Sequence, residues 1–499
     1  MPIASPLPPT QVRVDASAPA VPIDRRIYGH FLEELGRMIS GGLFPEKGSS
    51  APLTGTGYRK DVWEACRDLD PVLLRWPGGC FADVYRWKDG VGKDRPKSYR
   101  NRFWGRLGKR FGPPVHNELG TDEFLGLCRD WNCEPYFCAN AGTAGPEEAA
   151  AWVEYLSGKA REGLPACKLW SIGNEQFAIW EHGHTSSRKY AARYLEFREA
   201  MKAADPGIET VANGADTYQL KWNEGLLEKA ADEIDYLAVH IYLPQDYKPW
   251  QIILPARGTV PEWYSLLSLD QTVLWKLDTV DAQVRRVAGR SIPLAVDEWN
   301  IHWNFPQIVR PRAVLRDALG CALHLMCFQQ RAGLVKIANL SSLVNLLCPP
   351  LLTDLDRCSR TPLFHVFRLF TGHARETSVP ARVAGPSYSS KKLRGIRAAK
   401  DVPFLAASAT LSKDRTKAAL FLLNRHHEEP LEVEIDYAGA SPAGDARLHT
   451  LTGPSITAEN LPGRPEEVSP ASRDIPAGKS RGLTLPPRSL SVLVQGLGG

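Results

Sequence analysis

The sequence has no run of about 18 apolar residues, so no transmembrane helix is expected. Its opening, MPIASPLPPTQVRVD, lacks a basic stretch followed by an apolar one. No signal peptide is therefore visible, and a cytoplasmic location is the expectation. There is no glycine-rich phosphate loop and no G-x-S-x-G nucleophile elbow. The ten cysteines are irregularly spaced, and Cys128 and Cys133 have no paired C-x-x-C counterpart, so a zinc site is not expected. In a chain this long they read as buried thiols rather than a disulfide framework, which points to a reducing compartment. His182 and His184 stand two apart without an evident third ligand, so metal binding is not expected. The excess of 61 Lys+Arg over 56 Asp+Glu is small for this size and gives no reason to expect a nucleic-acid partner. Two local basic stretches, 100–110 and 391–400, read as solvated loops. No internal repeat is evident.

What is present is an α/β pattern followed by a β pattern. At 499 residues with 43% hydrophobic content, the chain is long enough for two domains, one of them large. Eight short apolar runs alternate with amphipathic segments: 27–31, 72–76, 134–139, 168–172, 209–212, 236–241, 293–296 and 334–337. Eight is the number that a closed (β/α)₈ barrel needs. Between them, Ala149, Trp152, Val153 and Leu156 fall on one helical face, as do Tyr190, Tyr194, Phe197 and Met201. The second of these helices is expected to stop at Asp205-Pro206-Gly207. Beyond about Ser378 the period changes to two: Leu431, Val433 and Ile435 alternate with acidic residues, and Leu490, Val492 and Val494 alternate near the end. That texture predicts an antiparallel β-sandwich. The division expected is a barrel over 23–377 and a sandwich over 378–499, completed by the segment 1–22.

Catalytic groups of such barrels lie beyond the C-terminal ends of the strands. The fourth run leads into Gly173-Asn174-Glu175 and the seventh into Asp297-Glu298-Trp299-Asn300. Two carboxylates on strands three apart can face each other across the mouth. Glycosidic cleavage needs such a pair, one to protonate the leaving oxygen and one to attack carbon or activate water. Trp76, Trp180, Trp299 and Trp303 lie at or beyond strand ends, where sugar C–H faces stack on aromatic rings. Asn140, His240, Tyr242 and Arg75 are polar groups at other strand ends. A cation at Arg75 would keep a nearby carboxylate ionised, as a nucleophile requires.

The chain resembles family 51 of the glycoside hydrolases, chiefly α-L-arabinofuranosidases. The resemblance rests on ordered motifs through the barrel: IYGHFLEELGR from Ile27, LRWPGGCFADVYRWKDGVG from Leu74, HNELGTDEF from His116, WSIGNE ending at Glu175, WEHGHTSSRKYA from Trp180, HIY from His240, VDEWN from Val296, IANLSSLVNLL from Ile337 and TPLFHVF from Thr361. It implies a retaining double displacement with Glu298 as nucleophile and Glu175 as general acid/base. It further implies Asn174 on the sugar 2-OH, Glu33 on hydroxyls of the terminal furanose, and Arg75, His240 and Tyr242 around Glu298. No metal or organic cofactor is implied; a carbohydrate substrate and a homo-oligomer are. Two positions near the sugar pocket depart from many relatives: Cys80 stands where they have Asn, and Ser342 where they have Gln. An endo-glucanase or xylanase, and a non-catalytic carbohydrate-binding barrel, are the alternatives to an exo-acting arabinofuranosidase. The stretch around Phe103, Trp104 and Phe111 follows the second strand and is open to two readings, a subsite wall or an oligomer contact.

Overall fold

The computed structural model describes residues 7–96, 98–245, 254–464 and 466–498. Residues 1–6 of the N-terminal segment expected to join the sandwich lie outside the described residues.

Eight parallel strands close into a barrel: Gly29–Phe31, Leu73–Trp76, Glu134–Ala139, Leu169–Ile172, Glu209–Ala212, Tyr236–Pro244, Leu294–His302 and Val335–Leu340. The last strand pairs with both the seventh and the first. Strands buried on both faces read as unbroken apolar runs, which is why all eight register in the sequence. Leu73, Tyr136, Leu169, Val211, Tyr236, Ala238, Ala295 and Ile337 form one interior layer that plugs the barrel. Two residues further along the same inward faces come Arg75, Ser171 and His240, where the polar floor of the mouth begins.

The sixth and seventh strands run beyond the apolar segments expected for them, to Pro244 and His302. Glu298 is thus inside a strand, not after one. Between these two strands Ala238 pairs with Ala295 but His240 with Glu298, so the seventh strand holds one extra residue. Such a bulge lets two consecutive residues, Asp297 and Glu298, both face inward.

The helical stripes are as the periodicity predicts. Pro146–Arg161 buries Ala149, Trp152, Val153 and Leu156, and Ser187–Ala204 buries Tyr190, Tyr194, Phe197 and Met201. Pro at the first helical position and Glu147 and Glu148 in the first turn favour the start of the former.

Besides two small two-stranded sheets, the remaining strands form a four-stranded and a seven-stranded sheet. Thr10–Asp15 lies in the four-stranded one, antiparallel to Ala381–Ala384 and parallel to Leu431–Ala438. Ser489–Gly498 lies inside the larger one, between Lys417–Asn424 and Ser441–Leu451. The larger sheet rests on the barrel helices Leu315–Gln330 and Pro362–His373. There Phe370 stacks on Phe421 at 4.2 Å, and Ser408 Oγ donates to Gln329 Oε1 at 2.7 Å. Every residue of Leu315–Gln330 up to Gln329 is buried. All ten cysteines are free thiols, nine of them buried. Among the described residues, no helix is long and apolar enough to cross a membrane.

Candidate active site

Arg75 anchors the centre of the mouth. It is fully buried on the second strand, and its guanidinium bridges the seventh strand and the loop after the fourth. Nη1 donates to Glu298 Oε1 at 2.9 Å, and Nη2 to Asn174 Oδ1 at 2.9 Å. The second oxygen of Glu298 accepts from the Tyr242 phenol at 2.7 Å. Burial pushes the Glu298 carboxyl up, but the charges of His240 and Arg75 and the bonds from Tyr242 and Arg75 outweigh it. The net position is below the ordinary glutamate value.

Glu175 has a different environment. Its Oε1 lies 2.8 Å from His240 Nδ1, and its Oε2 accepts from Trp180 Nε1 at 3.0 Å. His240 Nδ1 is also 3.6 Å from Glu298 Oε2, so one imidazole edge faces both carboxylates. Burial pulls the imidazole down; the Glu298 charge and the bond to Glu175 overcome it and hold His240 above its usual range. Oxygens of the two glutamates and the His240 nitrogen lie within 4.8 Å of one another. This trio and Cys80, Glu175 and Glu181 are the two groups, among the described residues, whose donor atoms could converge on a metal ion.

Glu175 adopts a left-handed backbone, φ 42°. A non-glycine residue there costs about 1–3 kcal/mol and persists only where its neighbours are fixed. Asp83 fixes them: it accepts from the backbone N–H of Asn174 and of Ala141 and from Gln176 Nε2, tying together the loops after the second, third and fourth strands.

Glu33 closes one side. Its Oε1 accepts from Phe81 N at 2.7 Å and from Trp104 Nε1 at 2.9 Å. Burial, and then the charge of Glu298, raise its carboxyl to about 8. The Pro77-Gly78-Gly79 turn makes room for it: a Cβ on Gly78, whose φ is 144°, would stand 2.7 Å from Glu33 Cγ. Trp104 belongs to the basic stretch read as solvated. In fact Asn101, Phe103 and Trp104 are buried, and Asn101 Nδ2 donates to Glu34 O at 2.8 Å. Phe111 stacks on Phe305 at 5.0 Å.

Several expected sugar contacts lie elsewhere. Trp299 is fully buried on the outside of the barrel, stacked on His324 at 5.3 Å and Phe367 at 6.1 Å. With Glu298 facing in, the next residue must face out. Trp303 packs under Arg316 at 4.3 Å and donates to Asp317. Trp76 sits in a cluster with Tyr85, Phe124, Phe137 and Trp152. Of the four tryptophans only Trp180, 40% exposed, hydrogen-bonds one of the two paired glutamates, Glu175. Asn140 binds Tyr85 O and Thr143 and so braces loops. Ser342 is fully buried and donates to Val344 O within its own loop; the preceding Ser341 is the one that hydrogen-bonds the Tyr242 phenol. Cys80 does border the site, its Sγ 3.9 Å from Asn174 Nδ2.

Asp83, Glu181 and Ser341 were not singled out from the sequence, whereas Trp104 was named there within a stretch open to a subsite-wall or an oligomer-contact reading. Glu181 Oε1 accepts from Asn174 Nδ2 at 3.4 Å, while Oε2 is buried without a partner. Asp83, Glu181 and Ser341 each lie in a motif quoted above.

Comparison with known proteins places these features in a family. Residues 65–250 match the family model described as Alpha-L-arabinofuranosidase 1 domain, and residues 297–489 that of the Alpha-L-arabinofuranosidase C-terminal domain. An intracellular exo-alpha-L-arabinofuranosidase of Bacteroides ovatus is 30% identical, over 90% of this chain and 88% of that one. A probable alpha-L-arabinofuranosidase C of Aspergillus flavus is 31% identical, over 90% of each. The alpha-L-arabinofuranosidase of Thermotoga maritima, solved as an arabinose complex, superposes with a TM-score of 0.81 at 32% identity, over 97% of this chain and 99% of that one. The chain belongs to glycoside hydrolase family 51, the α-L-arabinofuranosidase family.

Proposed function

We propose that this chain is an exo-acting α-L-arabinofuranosidase that works by retaining double displacement. The carrying observation is the carboxylate pair, close together but unlike in environment. With one oxygen of each glutamate within 4.8 Å of the other, the pair suits the separation of about 5–5.5 Å typical of retaining enzymes better than the about 6.5–9.5 Å of inverting ones.

Glu298, kept ionised by Arg75, His240 and Tyr242, attacks the anomeric carbon and forms a glycosyl-enzyme ester. Glu175 gives its proton to the departing oxygen. It then takes a proton from the water that cleaves the ester, so each turnover restores both groups. His240, bonded to Glu175 and facing Glu298, orients the acid and buffers its charge. Asn174, held by Arg75, is placed for the sugar 2-OH, and Glu33 for further hydroxyls. Exo action is supported by enclosure: Glu175 and Glu298 are 8% and 7% exposed, with Trp104 and Glu33 walling one side. A terminal residue fits such a site better than the interior of a polymer. The free thiols and the intracellular relatives named for Bacteroides ovatus and Bacillus subtilis support an intracellular location.

The test is a panel of aryl glycosides with the product anomer read by NMR, run on the parent, Glu298→Ala and Glu175→Ala. Aryl α-L-arabinofuranosides should be cleaved with retention. Azide should rescue Glu298→Ala, giving a glycosyl azide of inverted configuration. Glu175→Ala should keep far more activity on good leaving groups than on poor ones. Cleavage of glucan or xylan with no action on any aryl arabinofuranoside would refute the substrate; near-normal rates in both variants would refute the residue roles.

A further inference from the structure

A broad cavity among the described residues lies apart from the catalytic pair. It has a volume of about 600 Å³ and opens on the same face of the barrel, between the loops that leave the first, second, seventh and eighth strands. Its lining is strongly cationic. Lys47, Lys109, Arg110 and Arg310 all border it, and among the described residues none of the four has a carboxylate within salt-bridge distance. Arg37 also lines it but is paired with Glu46 at 2.7 Å. Glu118 is the remaining acidic residue in the lining, and burial raises its carboxyl, weakening its claim on the nearby cations. Unpaired like charges gathered around a concavity repel one another and cost stability unless an anion relieves them; together they concentrate anions locally.

The cavity and the catalytic mouth open on the same face of the barrel and are both bordered by the loop that leaves the first strand. Gly36, on its edge, is three residues from Glu33, a span of at most about 11 Å. Gly36 N donates to Phe111 O at 2.7 Å, so the first-strand loop and the basic second-strand loop move as one piece. A leaving group that runs over the rim formed by Glu33 and Trp104 comes near Gly36 and the edge of the cavity within about one or two sugar units.

We infer that this cavity is a leaving-group subsite for an acidic saccharide, one bearing a uronic-acid carboxylate, so that the preferred substrate is an arabinofuranosylated oligosaccharide with a negative charge a unit or two from the scissile bond. This rests on the arabinofuranosidase reading above. The four side chains supply the counter-charge, and the two arginines can bind a carboxylate in a bidentate manner. The partly solvated setting makes the attraction sensitive to salt.

The experiment compares two arabinofuranosylated oligosaccharides of equal length, one neutral and one carrying a glucuronic acid unit, at 20 mM and 500 mM NaCl. An aryl α-L-arabinofuranoside is run alongside. At low salt the acidic substrate should have a kcat/KM about tenfold above the neutral one, mostly through KM, and the advantage should shrink to about twofold or less at high salt. In Lys109→Glu/Arg310→Glu the ratio should fall to one or below, and in Lys109→Gln/Arg310→Gln to an intermediate value. Because each ratio is taken within one preparation, a partly folded variant does not distort it. Inorganic phosphate should inhibit hydrolysis of the acidic substrate more than that of the neutral one. A ratio near one in the parent, or one unchanged by charge reversal, overturns the inference. Cleavage of the aryl arabinofuranoside in the same assay separates that outcome from a failure of the arabinofuranosidase reading, in which neither oligosaccharide nor aryl substrate would be cut.

Discussion

Replacing Tyr242 by Phe removes one oxygen and little else. The phenol donates to Glu298 Oε2 at 2.7 Å in a buried site, and its own ionisation is pushed well above the usual tyrosine value by burial and then by the Glu298 charge, so it is always a donor. A hydrogen bond to a charged group is worth about 1.5–3 kcal/mol. That sets a ceiling of about 10- to 150-fold on the loss in rate. Attack carries negative charge away from the carboxylate, so part of this bond weakens on the way to the transition state in any case. The lower end, about a tenfold fall in kcat/KM at neutral pH, is the expected result. The pH profile carries the sharper information. Glu298 works ionised, so activity is lost as pH falls through its pKa. That pKa is depressed in the parent, with Tyr242 one of the causes. Removing the donor raises it and moves the acid limb of kcat/KM toward neutral pH, while the alkaline limb stays. An aryl arabinofuranoside with a good leaving group is the right substrate, since it needs little help from Glu175. An unmoved acid limb together with a rate within twofold of the parent would show that the phenol neither holds nor ionises the nucleophile.

Other expectations follow from the same geometry. Glu33 is a neutral acid below about 8 and an anion above it, beside Glu298; Glu33→Gln should match the parent KM near pH 6 and then escape the rise in KM that the parent shows on the alkaline side. Gly78→Ala should lower kcat/KM more than tenfold with an unchanged circular-dichroism spectrum, because the new methyl displaces Glu33 from a backbone already at φ 144°; about 1–3 kcal/mol of strain should appear in denaturant titration. Trp299→Ala should cost about 3–5 kcal/mol of stability by opening a cavity between barrel and helices. Its effect on KM in the protein that remains folded should be small, which would not hold for a sugar-stacking ring.

The barrel was readable because its strands are buried on both faces, so all eight appear as apolar runs. Their ends were not readable. His240, Tyr242, Glu298 and Asn300 interrupt the hydrophobic pattern, yet backbone pairing continues through them to Pro244 and His302. That Glu175 and Glu298 would face each other at the barrel mouth was legible from their place in the fourth and seventh βα units. The tryptophans were not, because the side a residue faces depends on strand phase. The extra residue at Asp297 resets that phase, and nothing in VDEWN announces it. Asp83 and Glu181 escaped for a related reason. Their work is to hold loops from different strands, and that partnership exists only after the barrel closes.

The buried helix Leu315–Gln330 also governs the order in which the chain can mature during translation. Its outer face is covered by the seven-stranded sheet, whose interior strand Ser489–Gly498 is synthesised after the other six. The barrel itself cannot close until Val335–Leu340 has reached Gly29–Phe31. Even then a helix that is buried along nearly its whole length in the finished fold stays uncovered for more than a hundred further residues, at a synthesis rate of about 5–20 residues per second. The nascent protein therefore spends several seconds as a closed barrel with an open flank. Truncation within the last strand is consequently a solubility lesion for the whole enzyme rather than the loss of an appendage.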